Sequence, residues 1–120
     1  MKKIIAAALG LSLSMHCDLA QAGFESGNQL FDSCTAKEGS TLYFQRQARC
    51  NAYIIGVYET TIFFAQYNDV GKMICVPDGV TAGQLVDVVT NYMSQHPENR
   101  HYVASNIVLI SLGVTFRCDR

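Results

Sequence analysis

Side chains able to do chemistry are few in this 120-residue chain, and they fall into two groups. His96, Glu98 and His101 stand close enough in sequence to suggest a metal site or an acid–base pair. Pro97 sits among them and breaks the single-face helical geometry that a motif such as His-Glu-x-x-His requires, so they read as helix-end and surface residues. The second group is Cys34, Cys50, Cys75 and Cys118. A thiolate with His96 or His101 as its base would make a nucleophile, but in an oxidising compartment four cysteines are more simply paired, and a disulfide sulfur is not a thiolate. The chain has no Cys-x-x-Cys pair, no serine nucleophile elbow and no phosphate-cradling glycine loop. The sequence therefore predicts no catalytic residue, no cofactor and no metal, which leaves a binding role.

The N-terminus places the chain in such a compartment. Lys2-Lys3 form a basic start, Ile4 to Met15 a mostly apolar run, and Ala20-Gln21-Ala22 a small-residue cleavage site before Gly23. Residues 1–22 read as a signal peptide and 23–120 as a single domain. Lipidation at Cys17 is disfavoured by Met15 and His16, because such sites want small residues. Cys17 then leaves with the signal, and the four remaining cysteines imply two disulfides with three possible connectivities. Staples suit a chain whose core is small. No later segment reaches the roughly 18 apolar residues of a membrane helix, so no stable membrane insertion is expected after cleavage. Residues 23–120 carry seven Lys and Arg against nine Asp and Glu, and the basic residues are scattered, which excludes a phosphate-binding surface and nucleic acid as a partner.

The elements that position these residues read as helices. Ser26 can cap a short helix through Leu30 and Cys34. Glu38-Gly39-Ser40 breaks the pattern, and Ser40 or Thr41 can cap a long helix from Leu42 to about Gln66, where Cys50, Tyr53, Ile54, Val57, Thr61, Phe64 and Ala65 recur at threes and fours. Gly56 in its middle costs up to about 1 kcal/mol relative to alanine, so a close helix crossing is expected there. Pro77-Asp78-Gly79 is turn chemistry. Thr81 and Gln84 then form a capping box, with Val80 and Leu85 as a hydrophobic staple, for a helix to about Gln95 that Pro97 stops. A last helix from about His101 to Phe116 is apolar over most of its surface, which predicts burial on several sides. The fold class is thus all-α: a compact bundle of four to five helices stapled by two disulfides. Tyr43, Phe44, Tyr58, Phe63, Phe64, Tyr67 and Tyr92 exceed what one small core obviously needs, and such residues suit either core or interface.

Together these residues resemble the Rap/Tai family, immunity proteins that protect bacteria against type VI secretion amidase effectors. The resemblance rests on Cys50-x-x-Tyr53-Ile54-x-Gly56, on Cys75-x-Pro77-x-Gly79-Val80-Thr81-x-x-Gln84-Leu85, on Tyr92 and His96-Pro97-Glu98, and on the terminal Cys118. Arg117 stands where the family often has proline. The resemblance implies a periplasmic, all-helical protein, usually a homodimer, that binds a peptidoglycan amidase and occludes its active-site cleft without a catalytic residue of its own. A small helical periplasmic stress protein or chaperone shares the size, disulfides and helix content. It would protect many substrates rather than form one stoichiometric complex.

Three residue-level expectations follow. The disulfides should be Cys34–Cys50, joining the short helix to the long one across a reversing connection, and Cys75–Cys118, fixing the chain end to the central turn. Self-association should use the long helix around Tyr58, Ile62 and Phe63, a mostly apolar face with Glu59 at its edge. Effector contacts should come from loops, which move without disturbing the core. Tyr67, Asn68, Asp69 and Lys72 form the favoured loop, and Glu98 and Arg100 belong to the stiffer one.

Overall fold

The computed structural model describes residues 24–67 and 72–118; the predicted leader, with Cys17, lies outside them. Four helices follow one another: α1 Gly27–Cys34, α2 Tyr43–Tyr67, α3 Ala82–Gln95 and α4 Ala104–Thr115, with one 3-10 turn at Pro97–Asn99. Among the described residues there is no strand, only an isolated bridge between Ser26 and Val103. All four helices pack on one another around Leu30, Cys50, Ile54, Ile74, Leu85, Val89, Met93, Ala104, Ile107, Val108 and Leu112.

Local chemistry explains where the helices start. The Gln84 N–H donates to Thr81 Oγ1 at 3.3 Å and the Thr81 N–H to Gln84 Oε1 at 2.8 Å, the predicted capping box. Gly79 leads into it at φ 86°, a left-handed conformation that glycine adopts without Cβ strain. Ser26 caps α1 with the same device, its box completed by Gln29. α2 begins one residue later than predicted because Ser40 contributes its backbone rather than a side-chain cap: its carbonyl accepts from the Tyr43 N–H at 3.1 Å.

α4 also starts later than predicted, at Ala104 rather than His101. Val103 is extended at ψ 131° because it pairs with Ser26, and the Ala104 N–H donates to the Glu25 carbonyl at 2.7 Å. In return α1 has its first N–H groups satisfied from the same segment, Gly27 by the Tyr102 carbonyl at 2.9 Å and Asn28 by the Arg100 carbonyl at 2.7 Å. Two helix N-termini thus complete each other with backbone carbonyls instead of water. The approach is so close that a Cβ on Gly27 would lie 2.8 Å from the Arg100 carbonyl oxygen, and beside the Ile107 side chain as well.

The disulfides pair as predicted. Cys34–Cys50 spans 16 residues and Cys75–Cys118 spans 43. Loop-closure entropy assigns them about 3 and about 4 kcal/mol of stabilisation.

Two packing expectations are corrected. A Cβ on Gly56 would meet nothing within 4 Å, so among the described residues no helix crosses it. α4 is not buried on several sides: Ile107, Val108, Ser111 and Leu112 face the core, while Ile110 and Val114 are 49% and 60% exposed. Both corrections have one cause. The helices that would have to cover these positions are already used on the opposite faces of α2 and α4.

Candidate functional site

Near Pro97 the predicted contact residues divide into two kinds. Arg100 is committed to the fold. Its Nε donates to the Met93 carbonyl at 2.6 Å and its Nη2 to the Ser94 carbonyl at 3.4 Å, and the guanidinium lies 3.6 Å over the Phe31 ring. It therefore closes the C-terminus of α3, where carbonyls lack helical partners, and ties it to α1. Glu98 is free to meet a partner. Its carboxylate is exposed and held below the ordinary carboxylate range, first by a hydrogen bond from its own backbone and then by the His96 side chain, whose Nδ1 is 3.0 Å from Oε1. His101 turns Nδ1 toward the Glu98 carbonyl at 2.8 Å. No group of three His, Cys, Asp or Glu side chains with metal-holding geometry occurs among the described residues. Cys34, Cys50, Cys75 and Cys118 are all in disulfides, so none of them offers a thiolate.

The favoured loop is flanked by Tyr67, 70% exposed, and by exposed Lys72; Asn68 and Asp69 lie outside the described residues. Of the residues named for self-association, Tyr58 and Ile62 are half-buried, and Tyr58 packs against the core. Phe63 is 55% exposed and belongs to another face, since five helical residues from Tyr58 is well round the α2 axis. It meets Phe64 edge to face and Tyr67 at a tilt there, at ring-centroid distances of 5.8 and 4.7 Å.

The sequence reading missed the main feature of that face. A groove of about 650 Å³ runs between α2 and α4, with Gly56 in its floor, Ala52 and Thr60 one turn away on either side, and Phe64, Met73 and Leu109 on its walls. Met73 and Leu109 continue into a shallower depression with Ile110 and Val114. The threonines do not make the groove polar. Thr60 Oγ1 donates to the Gly56 carbonyl at 2.7 Å and Thr61 Oγ1 to the Val57 carbonyl at 2.9 Å, so both hydroxyls are turned back on the helix. α4 contains no charged residue, and α2 beyond Arg49 contains only Glu59. The sequence signal for the groove was the run Ala48, Ala52, Gly56, Thr60, small residues every four positions along one side of α2.

None of the seven aromatics singled out is fully buried: Tyr43, Tyr58 and Tyr92 are half-buried, and Phe44, Phe63, Phe64 and Tyr67 are exposed. The exposed ones are surface available to a partner, not core.

A disulfide-stapled four-helix domain whose open feature is an uncharged apolar groove is built as a protein-binding module. Its family is shown by comparison: the model of the Rap1a immunity proteins matches residues 26–118, and the chain belongs to that family. The match spans every helix and both disulfides. No curated protein and no solved structure matches the chain. Its role is that of an immunity protein, which binds a partner effector. No helix of the described residues is long and apolar enough to cross a membrane.

Proposed function

We propose that the chain is exported by its leader to the periplasm and there protects the cell by binding a type VI secretion peptidoglycan amidase and occluding its active-site cleft. Membership of the Rap1a immunity family carries this reading. The paired cysteines and the basic-apolar leader, Lys2 to Ala22, support the compartment. The contact surface is the loop from Tyr67 to Lys72, with Glu98 as a second point. Arg100 acts mainly by holding the turn that presents Glu98.

The proposal includes a homodimer, on a face shifted from the predicted one toward Phe63 and the groove. Phe63, Phe64, Tyr67, Met73, Ile110 and Val114 are each about half exposed or more. Exposed large apolar side chains in such number mark an association surface rather than an ordinary monomer face. An effector arrives only at intervals, whereas a second copy is always present, so the second copy is the cover that keeps this face out of water.

Protection of cells is the test. A strain exporting the amidase to its periplasm should lyse without this chain and grow with it. Replacing Asn68, Asp69 and Lys72 together by alanine should weaken amidase inhibition at least about tenfold with the fold retained, roughly 1.4 kcal/mol. Full protection by a variant lacking the leader would refute the periplasmic site. Full inhibition by the triple variant, with loss on Glu98→Ala, would move the contact to the turn.

A further inference from the structure

One wall of the groove is not a helix. Residues 72–76 have neither helix nor strand, yet they run along the end of α4. Ile74 is 2% exposed, the Cys75 N–H donates to the Phe116 carbonyl at 2.8 Å, and the Met73 carbonyl lies 3.8 Å from where a Cβ on Gly113 would sit. Met73 thereby becomes a wall of both depressions. Besides the packing of Ile74 and Val76 and that backbone hydrogen bond, the tie that holds the segment is the Cys75–Cys118 bond.

The two disulfides differ in how a thiol can reach them. Thiol–disulfide exchange needs access to one sulfur and a leaving thiolate that tolerates its charge. Cys50 has no exposed surface, so it resists direct attack, and as the leaving group after attack on Cys34 it would be a thiolate inside an apolar core, which burial disfavours. Cys75 and Cys118 are both partly exposed, as is Cys34, but neither of them belongs to the core as Cys50 does. Their reduction removes a link between the 72–76 segment and the non-helical residues after α4, whereas Cys34–Cys50 joins two packed helices.

We infer that Cys75–Cys118 is a redox latch on the α2–α4 groove. Oxidised, it holds residues 72–76 against α4 and Met73 in the groove wall. Reduced, it lets residues 72–76 and 116–118 open while the four helices stay packed. A dithiol reductant carries out the step: one of its thiolates attacks a sulfur of the bond, its second thiol resolves the mixed disulfide, and Cys75 and Cys118 end as two thiols while the dithiol closes to a cyclic disulfide. The consequence that self-association awaits an oxidising compartment rests on the reading above; the latch itself does not.

The test needs no effector. The oxidised chain is titrated with dithiothreitol, free thiols are alkylated and mapped, and amide hydrogen exchange is followed by peptide. Cys75 and Cys118 should be labelled at least tenfold faster than Cys34 and Cys50. Exchange at residues 72–76 should rise at least tenfold with helical circular dichroism unchanged. Equal labelling of the two pairs, loss of helix in step with reduction, or unchanged exchange at 72–76 would each overturn the latch. The Cys75→Ser/Cys118→Ser double variant should show the same open segment with Cys34–Cys50 intact. If it is unfolded, the bond is a global staple and the latch is wrong. Amidase binding by the reduced chain is a separate readout, so a failed immunity reading leaves this result standing.

Discussion

Gly56 carries a free-energy cost that no contact among the described residues explains, and substituting it separates fold from association. In the middle of a helix glycine is about 1 kcal/mol worse than alanine or leucine. A Cβ at Gly56 would have nothing within 4 Å, so Gly56→Ala recovers that helix propensity without a clash. For a domain of this size the gain is expected to raise Tm by roughly 4–8 °C, measured at a concentration where the chain is monomeric. Gly56→Leu recovers a similar amount in the isolated chain but fills the groove floor between Ala52 and Thr60. If a second copy packs there, the leucine must push the two helices apart, and overpacking of a fitted surface costs about 1–3 kcal/mol on each side. Sedimentation equilibrium should then show dimer dissociation at least tenfold easier for Gly56→Leu, while its dilute thermal midpoint rises. Opposite signs from one substitution are the signature of an interface. A dimer constant within twofold of wild type, or a wild-type chain that stays monomeric near 100 μM (roughly a −5 kcal/mol association or weaker), would refute the reasoning.

Other outcomes follow from single residues. Gly27→Ala should destabilise the fold by about 2 kcal/mol in urea titration, because the new methyl meets the Arg100 carbonyl and Ile107 where neither can easily give way. Arg100→Ala should cost about 1–3 kcal/mol through two lost hydrogen bonds and the lost Phe31 contact, with Arg100→Lys restoring only part of it. Glu98 should titrate below the ordinary carboxylate range by NMR and move upward in His96→Ala. Because its folded value is lowered, any stability it contributes is present above its unfolded pKa and is lost as the pH falls through the folded one.

Local devices were legible in the sequence because they are complete within a few residues. Thr81 and Gln84 carry both halves of a capping box, Pro77 to Gly79 the turn before it, and the threes-and-fours of α2 a period that local strand propensity at Ile54 and Ile55 cannot imitate. What was not legible depends on partners distant in the chain. Val103 looks helical until Ser26 draws it into a bridge. Arg100 looks like a surface charge until Phe31, 69 residues earlier, lies under its guanidinium. Gly56 suggested a close helix crossing, but a helical pattern does not say that the side of α2 around it is left open. The groove was hidden for the same reason: apolar residues on α2 and α4 read as core, and only the packing of all four helices shows which faces are left without a neighbour.

Calorimetric titration of the oxidised chain, residues 23–120, into a purified amidase effector from the same strain tests most directly the proposal that this chain binds and blocks a peptidoglycan amidase. The titration should show a saturable complex of one chain per amidase with nanomolar Kd, about −12 kcal/mol, and loss of hydrolysis of wall peptides at that same ratio. Absence of heat and undiminished hydrolysis with a full excess of the chain would contradict it.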